Sequence, residues 1–265
     1  MISVITINYN NREGLRRTIE SVINQTWRDF EYIIIDGGST DGSRELIEQY
    51  KEHLSYWCSE PDKGIYNAMN KGIRHAKGEY LNFMNSGDTF YDNEVLEKVF
   101  KEERKADILY GYMIDDKSKT IVNKALMKSV LYWDDFVGNT LPHQSTFSKK
   151  HLFDDFGYFD ETYKIVADSK FFIKSIVWEK VSYEFIPDII SVYEGGGISD
   201  SSILFEERDV RLRSEMFPKM VIDDYSFVSM CRNVKKYSIL RKCFTLLSII
   251  ANKLNSINLS RRSCS

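Results

Sequence analysis

No glycine occurs in the first thirteen positions, so the first apolar run is not followed by a G-x-G-x-x-G turn. A dinucleotide fold of the dehydrogenase type needs those glycines for its backbone to approach a pyrophosphate, and that class is excluded. Cys58, Cys231, Cys243 and Cys264 stand far apart with no C-x-x-C spacing. That argues against a disulfide framework or a zinc site and fits a reducing compartment. There is no run of 18 apolar residues and hence no obvious spanning helix. Positions 2–7 read directly as a strand, with no basic segment leading into an apolar one, so no secretory signal is expected. A net charge of -3 gives no general argument for nucleic-acid binding, and no such partner is expected. Acidic residues are absent from positions 225–265, which carry Arg232, Lys235, Lys236, Arg241, Lys242, Lys253, Arg261 and Arg262.

What is present is a repeated pattern. The run Phe30-Glu31-Tyr32-Ile33-Ile34-Ile35 leads into Asp36-Gly37-Gly38-Ser39-Thr40-Asp41-Gly42-Ser43, and Tyr80-Leu81-Asn82-Phe83-Met84 leads into Asn85-Ser86-Gly87-Asp88. Near-continuous apolar runs mark strands of a parallel sheet whose two faces are covered by helices. Ligands of such sheets bind beyond the carboxyl ends of the strands. Asp36 and Asp88 therefore stand where a ligand would stand.

Helical spacing falls between these strands. Leu15, Ile19, Val22 and Ile23 form one stripe after a cap at Asn10 or Asn11. Leu46, Ile47, Tyr50 and Leu54 form a second after Asp41 or Ser43, and Ile65, Ala68, Met69, Ile73 and Ala76 a third that Gly78 is expected to stop. Strands alternating with helices predict an α/β sheet. Beyond Asp88, a helix after Asp92, a strand over 108–114, a loop over 158–168, a helix opening at Ala167-Asp168 and two strands on either side of Pro187 are expected. Positions from about 203 onward read as helices.

Asp88 at a strand end suits a hard cation. Mg²⁺ and Mn²⁺ prefer carboxylate oxygen, and Mg²⁺ sites combine one or two carboxylates with substrate phosphates and water.

The order Asn8-Tyr9-Asn10, Gln25-Thr26, Asp36-Gly37-Gly38-Ser39-Thr40-Asp41-Gly42, Gly64-Ile65-Tyr66-Asn67-Ala68-Met69-Asn70-Lys71-Gly72 and Asn85-Ser86-Gly87-Asp88 resembles the inverting family 2 glycosyltransferases. The resemblance is specific over residues 2–90 and looser to about 200, extending to His143-Gln144, Ala167-Asp168 and Gly195-Gly196-Gly197-Ile198-Ser199. It implies a GT-A fold, a mostly parallel central sheet flanked by helices. The transferase domain would span 1–202, with a nucleotide-binding half at 1–90 and an acceptor half at 91–202, and a basic helical extension would follow at 203–265. The implied reaction is transfer of a sugar from a nucleotide diphosphate sugar, a UDP-sugar for preference, to the hydroxyl of a glycan or lipid-linked glycan, as in cell-envelope polysaccharide assembly.

By position, the resemblance implies that Thr6, Asn8 and Tyr9 line the nucleotide site and that Asp36 contacts the base. Lys63 or Asn70 would reach base or phosphates, and Asn85 and Ser86 would face the donor. Asp88 would be the metal-binding end of the family's Asp-x-Asp, with Mn²⁺ or Mg²⁺ as the cofactor and His143 as an additional ligand. Asp168 would be the catalytic base, and the glycines after Glu194 would close near donor or acceptor. One departure stands out, in that the family motif carries two or three carboxylates, whereas Asn85-Ser86-Gly87-Asp88 has one.

Two other functions share parts of this pattern. A nucleotidyltransferase also uses a sheet and an aspartate-bound metal, but with a glycine-rich basic loop after its first strand, where this chain has Asn8-Tyr9-Asn10-Asn11. A non-catalytic nucleotide-sugar binder would tolerate the thinned acidic motif. Phe244, Leu247, Ile250, Ala251 and Leu254 fall at helical spacing beside Lys242 and Lys253. That segment reads either as a helix packed on its own domain or at a dimer contact, or as a basic helix on an anionic membrane surface. The place implied is the cytoplasm, at the inner face of the membrane in the second case.

Overall fold

The computed structural model describes residues 1–195 and 204–225. The glycine-rich stretch from Gly196 to Ser199 and the basic segment 241–254 lie outside them. The chain forms two compact units, Met1–Met216 and Phe217–Ser265. Within the second, residues 219–225 are helical.

Eight strands form one sheet in the first unit, in the order β3-β2-β1-β4-β7-β6-β8-β5. Strands β1 (Ile2–Asn8), β2 (Phe30–Asp36), β3 (Tyr56–Ser59) and β4 (Tyr80–Phe83) are parallel neighbours, as the apolar runs of β1, β2 and β4 predict. The register pairs Asn8 with Asp36, so both chains leave the sheet at the same edge. Helices α1 (Arg12–Ile23), α2 (Ser43–Gln49) and α3 (Ile65–His75) connect them. Leu15, Ile19, Val22, Leu46 and Ile47 join Val4, Tyr32 and Ile34 in one core cluster. Each such aliphatic side chain contributes about 1.5–3 kcal/mol on burial.

Local chemistry explains the helix starts. The Asn11 side chain caps α1 by accepting from Gly14 N at 3.1 Å. Asn10 instead turns the chain at φ 49° and accepts from Thr40 N at 2.9 Å. Asp41 accepts from both Ser43 N and Arg12 N, so one carboxylate ties the starts of α1 and α2. Helix α3 ends at His75, three residues before Gly78. Gly78 serves close packing instead of helix termination, because a Cβ there would lie 2.5 Å from Ser3 N and 2.6 Å from the Ile2 carbonyl carbon. Backbone passes backbone at that point, and Gly78 N donates to Ser3 Oγ at 2.8 Å.

The second half is less regular. Strand β5 is only Thr89–Phe90, and α4 (Val95–Phe100) follows. Strand β6 (Ile108–Asp115) is reached through β7 (Thr146–Lys149), which runs antiparallel to both β4 and β6. Helices α5 (His151–Phe156) and α6 (Ala167–Phe172) come next, and α6 continues as a π-helical turn, Ile173–Trp178. The two strands expected around Pro187 are one strand, β8 (Tyr183–Tyr193). Its register against β6 shifts between Tyr110 and Tyr112. Pro187, which has no N–H for a ladder, lies in that bulge opposite Gly111. Four of the seven strand pairings are parallel, and helices flank the sheet.

The first unit also takes in the helical stretch 205–216. Glu207 is buried and accepts from Lys164 N and Ile165 N, while the Arg211 guanidinium stacks 3.8 Å over the Tyr163 ring. Among the described residues no helix is long and apolar enough to cross a membrane.

Replacing Gly78 by alanine forces the β1 and β4 backbones apart. We expect Gly78→Ala to lower the unfolding free energy by about 1–3 kcal/mol in a urea titration. An unchanged midpoint would show that the two segments separate without cost.

Candidate active site

A cavity of about 680 Å³ lies beyond the carboxyl end of β4. Its walls include Tyr66, Asn85, Ser86, Asp88, His143 and Asp168, together with Arg208. Residues separated by more than a hundred positions thus meet in one place.

Asp36 is fully buried at the end of β2. Its Oδ1 accepts from Asn8 Nδ2 at 2.7 Å and Ser39 Oγ at 2.6 Å; its Oδ2 accepts from Ser39 N at 3.0 Å and Ser59 Oγ at 2.6 Å. Four donors satisfy a carboxylate, so Asp36 shapes the loop after β2 and presents no oxygen to a base in this structure. Asn8 is likewise turned inward on Asp36 and Ser39. Thr6 and Asn70, expected at a nucleotide site, are both buried with their polar groups bonded inside the protein. Thr6 is buried with its hydroxyl 3.0 Å from Tyr32 OH, because alternation along β1 points it into the core. Asn70 is buried on α3, donates to Phe159 O and Glu161 Oε1 and accepts from Phe159 N, which pins the loop before Asp168.

The exposed groups beside this loop are different ones. Tyr9 is 68% exposed directly after β1. A Cβ on Gly37 would lie 2.6 Å from Asp62 Oδ2 and 3.2 Å from the Tyr9 ring. Only glycine lets the Tyr9 ring and the Asp62 carboxylate close over the buried backbone at position 37, which brings these two side chains together. Lys63 is exposed next to Asp62.

Asp88 is buried, with Oδ2 accepting from Gln144 Nε2 at 2.8 Å and Oδ1 from Glu194 N at 3.0 Å. Burial raises its carboxyl above the ordinary range, and the two hydrogen bonds offset only part of that. Ser86 is partly exposed and accepts on its carbonyl from Asn11 Nδ2 at 3.2 Å. Asn85 Oδ1 is buried with no partner, while Asn85 Nδ2 lies 3.1 Å from His143 Nε2. The Asp168 carboxylate beside Nδ1 calls for a proton there, and with the amide in this orientation Nε2 accepts from Asn85. That Nδ1–H donates to Asp168 Oδ2 at 3.2 Å. Both ring nitrogens are thereby engaged. In this structure His143 joins Asn85 to Asp168 and offers no lone pair to a metal.

Asp168 stands in the first turn of α6, 7% exposed. Its Oδ1 accepts from Tyr66 OH at 2.9 Å and Ser169 N at 2.8 Å. Burial first, and then the Asp168 charge, hold the Tyr66 hydroxyl well above the ordinary tyrosine range, so it stays protonated and a donor. Among the described residues no three His, Cys, Asp or Glu side chains cluster as a metal cage.

Sequence reasoning passes over Tyr66, Asp62, Glu207 and the role of Gln144. Tyr66 and Gln144 do carry a signal, since both lie within the stretches shared with the transferase family. Nothing local marks Glu207, whose partners are 42 and 43 positions away.

The fold is the GT-A fold. The crystal structure of S. aureus TarS 1-349 in complex with UDP-GlcNAc matches with a TM-score of 0.64 at 20% identity, covering 76% of this chain and 61% of that one. This chain thus spans less than two thirds of that solved protein. The pattern of glycosyl transferase family 2 matches residues 3–159, and the chain belongs to that family. An uncharacterized glycosyltransferase of Mycobacterium tuberculosis is 34% identical over 191 residues, 68% of this chain and 71% of that one. A PGL/p-HBAD biosynthesis glycosyltransferase of the same species is 27% identical over 210 residues, 77% of this chain and 80% of that one.

The loop that presents Asp168 is held by charge. Burial alone would push Asp160 up, but hydrogen bonds from Lys170 Nζ and from the Thr162 hydroxyl and N–H bring it down to about 2. A folded carboxyl below its unfolded value of 3.8 stabilises the protein above that pH. The contribution fades as pH falls from 3.8 toward 2. We expect Asp160→Asn to lose about 1–2 kcal/mol less than the parent protein over that interval in pH-dependent unfolding. Parallel curves for the two proteins would assign the acid sensitivity elsewhere.

Proposed function

We propose that this glycosyltransferase moves a sugar from a nucleotide diphosphate sugar, a UDP-sugar for preference, to an acceptor hydroxyl with inversion. The observation that carries this is the meeting of two buried aspartates on one cavity with different surroundings. Each Asp88 oxygen takes one N–H donor, whereas Asp168 Oδ1 takes two donors and Oδ2 only His143 Nδ1. The less engaged Asp168 Oδ2 suits a base in a single displacement. The acceptor oxygen would attack the anomeric carbon as its proton passes to Asp168 Oδ2, and the diphosphate would leave with the bonding pair.

Tyr9 and Asp62 then form the surface for the base, on the loop that Asp36 fastens. Lys63 supplies a cation near the phosphates. Asp88 and the unpartnered Asn85 Oδ1 fit a hard divalent cation such as Mn²⁺ or Mg²⁺, since both offer oxygen and the buried carboxylate gains from a nearby positive charge. Such a cation neutralises charge on a departing diphosphate. Asp88 and Asn85 hold its place, while His143 and Tyr66 orient the base. A cell-envelope glycan, lipid-linked or free, is the acceptor class in keeping with the relatives. The transferase domain extends into the helices after position 203, because Glu207 and Arg211 hold the loop before Asp168.

General-base help contributes about 10²- to 10⁴-fold. Asp168→Asn should lower turnover by about that factor on the best substrate among UDP-glucose, UDP-N-acetylglucosamine, UDP-galactose and GDP-mannose, with UDP affinity unchanged by calorimetry. Full turnover in the variant would remove Asp168 from the mechanism. Failure of the parent protein to release nucleotide from any of the four would leave a binder, not an enzyme. For Asp88→Ala, the gain in UDP affinity on adding Mn²⁺ should disappear; an undiminished gain would place the cation elsewhere.

A further inference from the structure

The Tyr66 hydroxyl has one proton and two acceptors. It contacts Asp168 Oδ1 at 2.9 Å and the Ile165 carbonyl oxygen on its other side. Tyr66 is buried, and its ring packs against Phe159 at 5.6 Å between centroids, so the hydroxyl cannot turn to water. The Ile165 carbonyl is itself fixed, because Glu207 takes the N–H of Lys164 and of Ile165. A buried hydroxyl must keep a partner in every state of the site.

We propose that Tyr66 is a positioning residue of the transfer reaction, whose hydroxyl gives its hydrogen bond to Asp168 while the base is charged and turns it to the Ile165 carbonyl once the base is protonated. The inference rests on Asp168 being the base. Before transfer, Tyr66 and Ser169 N hold Oδ1, which aims Oδ2 at the acceptor. During transfer the new bond joins the acceptor oxygen to the anomeric carbon, and the bond to the diphosphate oxygen breaks with its electron pair. The acceptor's proton ends on Asp168 Oδ2. Oδ1 then carries less charge, and the fixed carbonyl becomes the stronger acceptor. The tyrosine loses no proton at any stage. Neither state leaves the Tyr66 hydroxyl without a partner, and it follows the change in protonation by rotation of one O–H bond.

A double-mutant cycle tests this. Tyr66→Phe keeps the ring and removes the hydroxyl. We expect it to lower kcat about ten- to a hundredfold, with UDP affinity by calorimetry unchanged. In an Asp168→Asn background the same change should have no further effect, because Tyr66 acts through Asp168. Equal losses in both backgrounds, or an unchanged kcat in the single variant, would overturn the inference. Replacing Tyr66 with 3-fluorotyrosine, which retains the hydroxyl, should restore kcat to within a fewfold. A loss as deep as that of phenylalanine would show that packing and not the hydroxyl is at issue. Full activity of Asp168→Asn alone would instead defeat the assignment of the base.

Discussion

Three carboxylates, those of Asp36, Asp88 and Asp168, are buried at the carboxyl edge of one sheet. Taking an unpaired carboxylate out of water costs several kcal/mol unless donors surround it. None of the three is paired with lysine or arginine among the described residues. Their donors are serine hydroxyls, side-chain amides, backbone N–H groups, a tyrosine and a histidine. Their surroundings are therefore built mostly from neutral groups, with no lysine or arginine among the described residues to offset a carboxylate. That suits partners that bring positive charge or a proton, whereas an arginine clamp would have neutralised the charge within the protein.

The same requirement fixes the scaffold. Asp36 can collect four donors only because β1 and β2 leave the sheet in register at Asn8 and Asp36, and β3 brings Ser59 opposite Asp36. Asp88 depends on residues from the turn before β7 and the end of β8. Asp168 depends on α3 and on the turn that holds His143. The parallel first half of the sheet and the less regular second half are thus joined at their charged residues, not only through apolar packing. The helical stretch 205–216 belongs to this arrangement, since Glu207 fixes the backbone against which Tyr66 rests.

How much of this is legible in the sequence follows from distance along the chain. Strands β1, β2 and β4 show as apolar runs, and their helices as spacing and caps, because those signals are local. Gly78 reads as a helix stop, since a local rule cannot show that the Ser3 backbone passes beside it. Strand β7 carries polar and apolar residues in only four positions, and β8 runs through a proline at a bulge, so neither has a clean period. The three aspartates are visible because each stands at an element end next to turn or helix signals. Their partners are not, because Gln144 lies 56 positions from Asp88 and Tyr66 lies 102 from Asp168. Resemblance alone places Thr6 and Asn70 at the nucleotide surface, and only the packing of β1 and α3 turns them inward.

Asn85 is where the departure from the family's acidic motif acquires a physical meaning. With the amide in this orientation His143 Nε2 accepts from its nitrogen, and the ring proton stands on Nδ1, facing Asp168. An aspartate at 85 would reverse this. A carboxylate beside Nε2 demands a proton there, and the imidazole must then turn a lone pair toward Asp168 or take a second proton and charge. The first removes a donor from Asp168, and the second ties Asp168 into an ion pair. With asparagine, the amide nitrogen faces Nε2 while Nδ1 faces Asp168, and Oδ1 of the same amide still stands without a partner beside the cavity. The asparagine thus gives up one negative charge beside the cavity and leaves a neutral amide to hold the imidazole against Asp168.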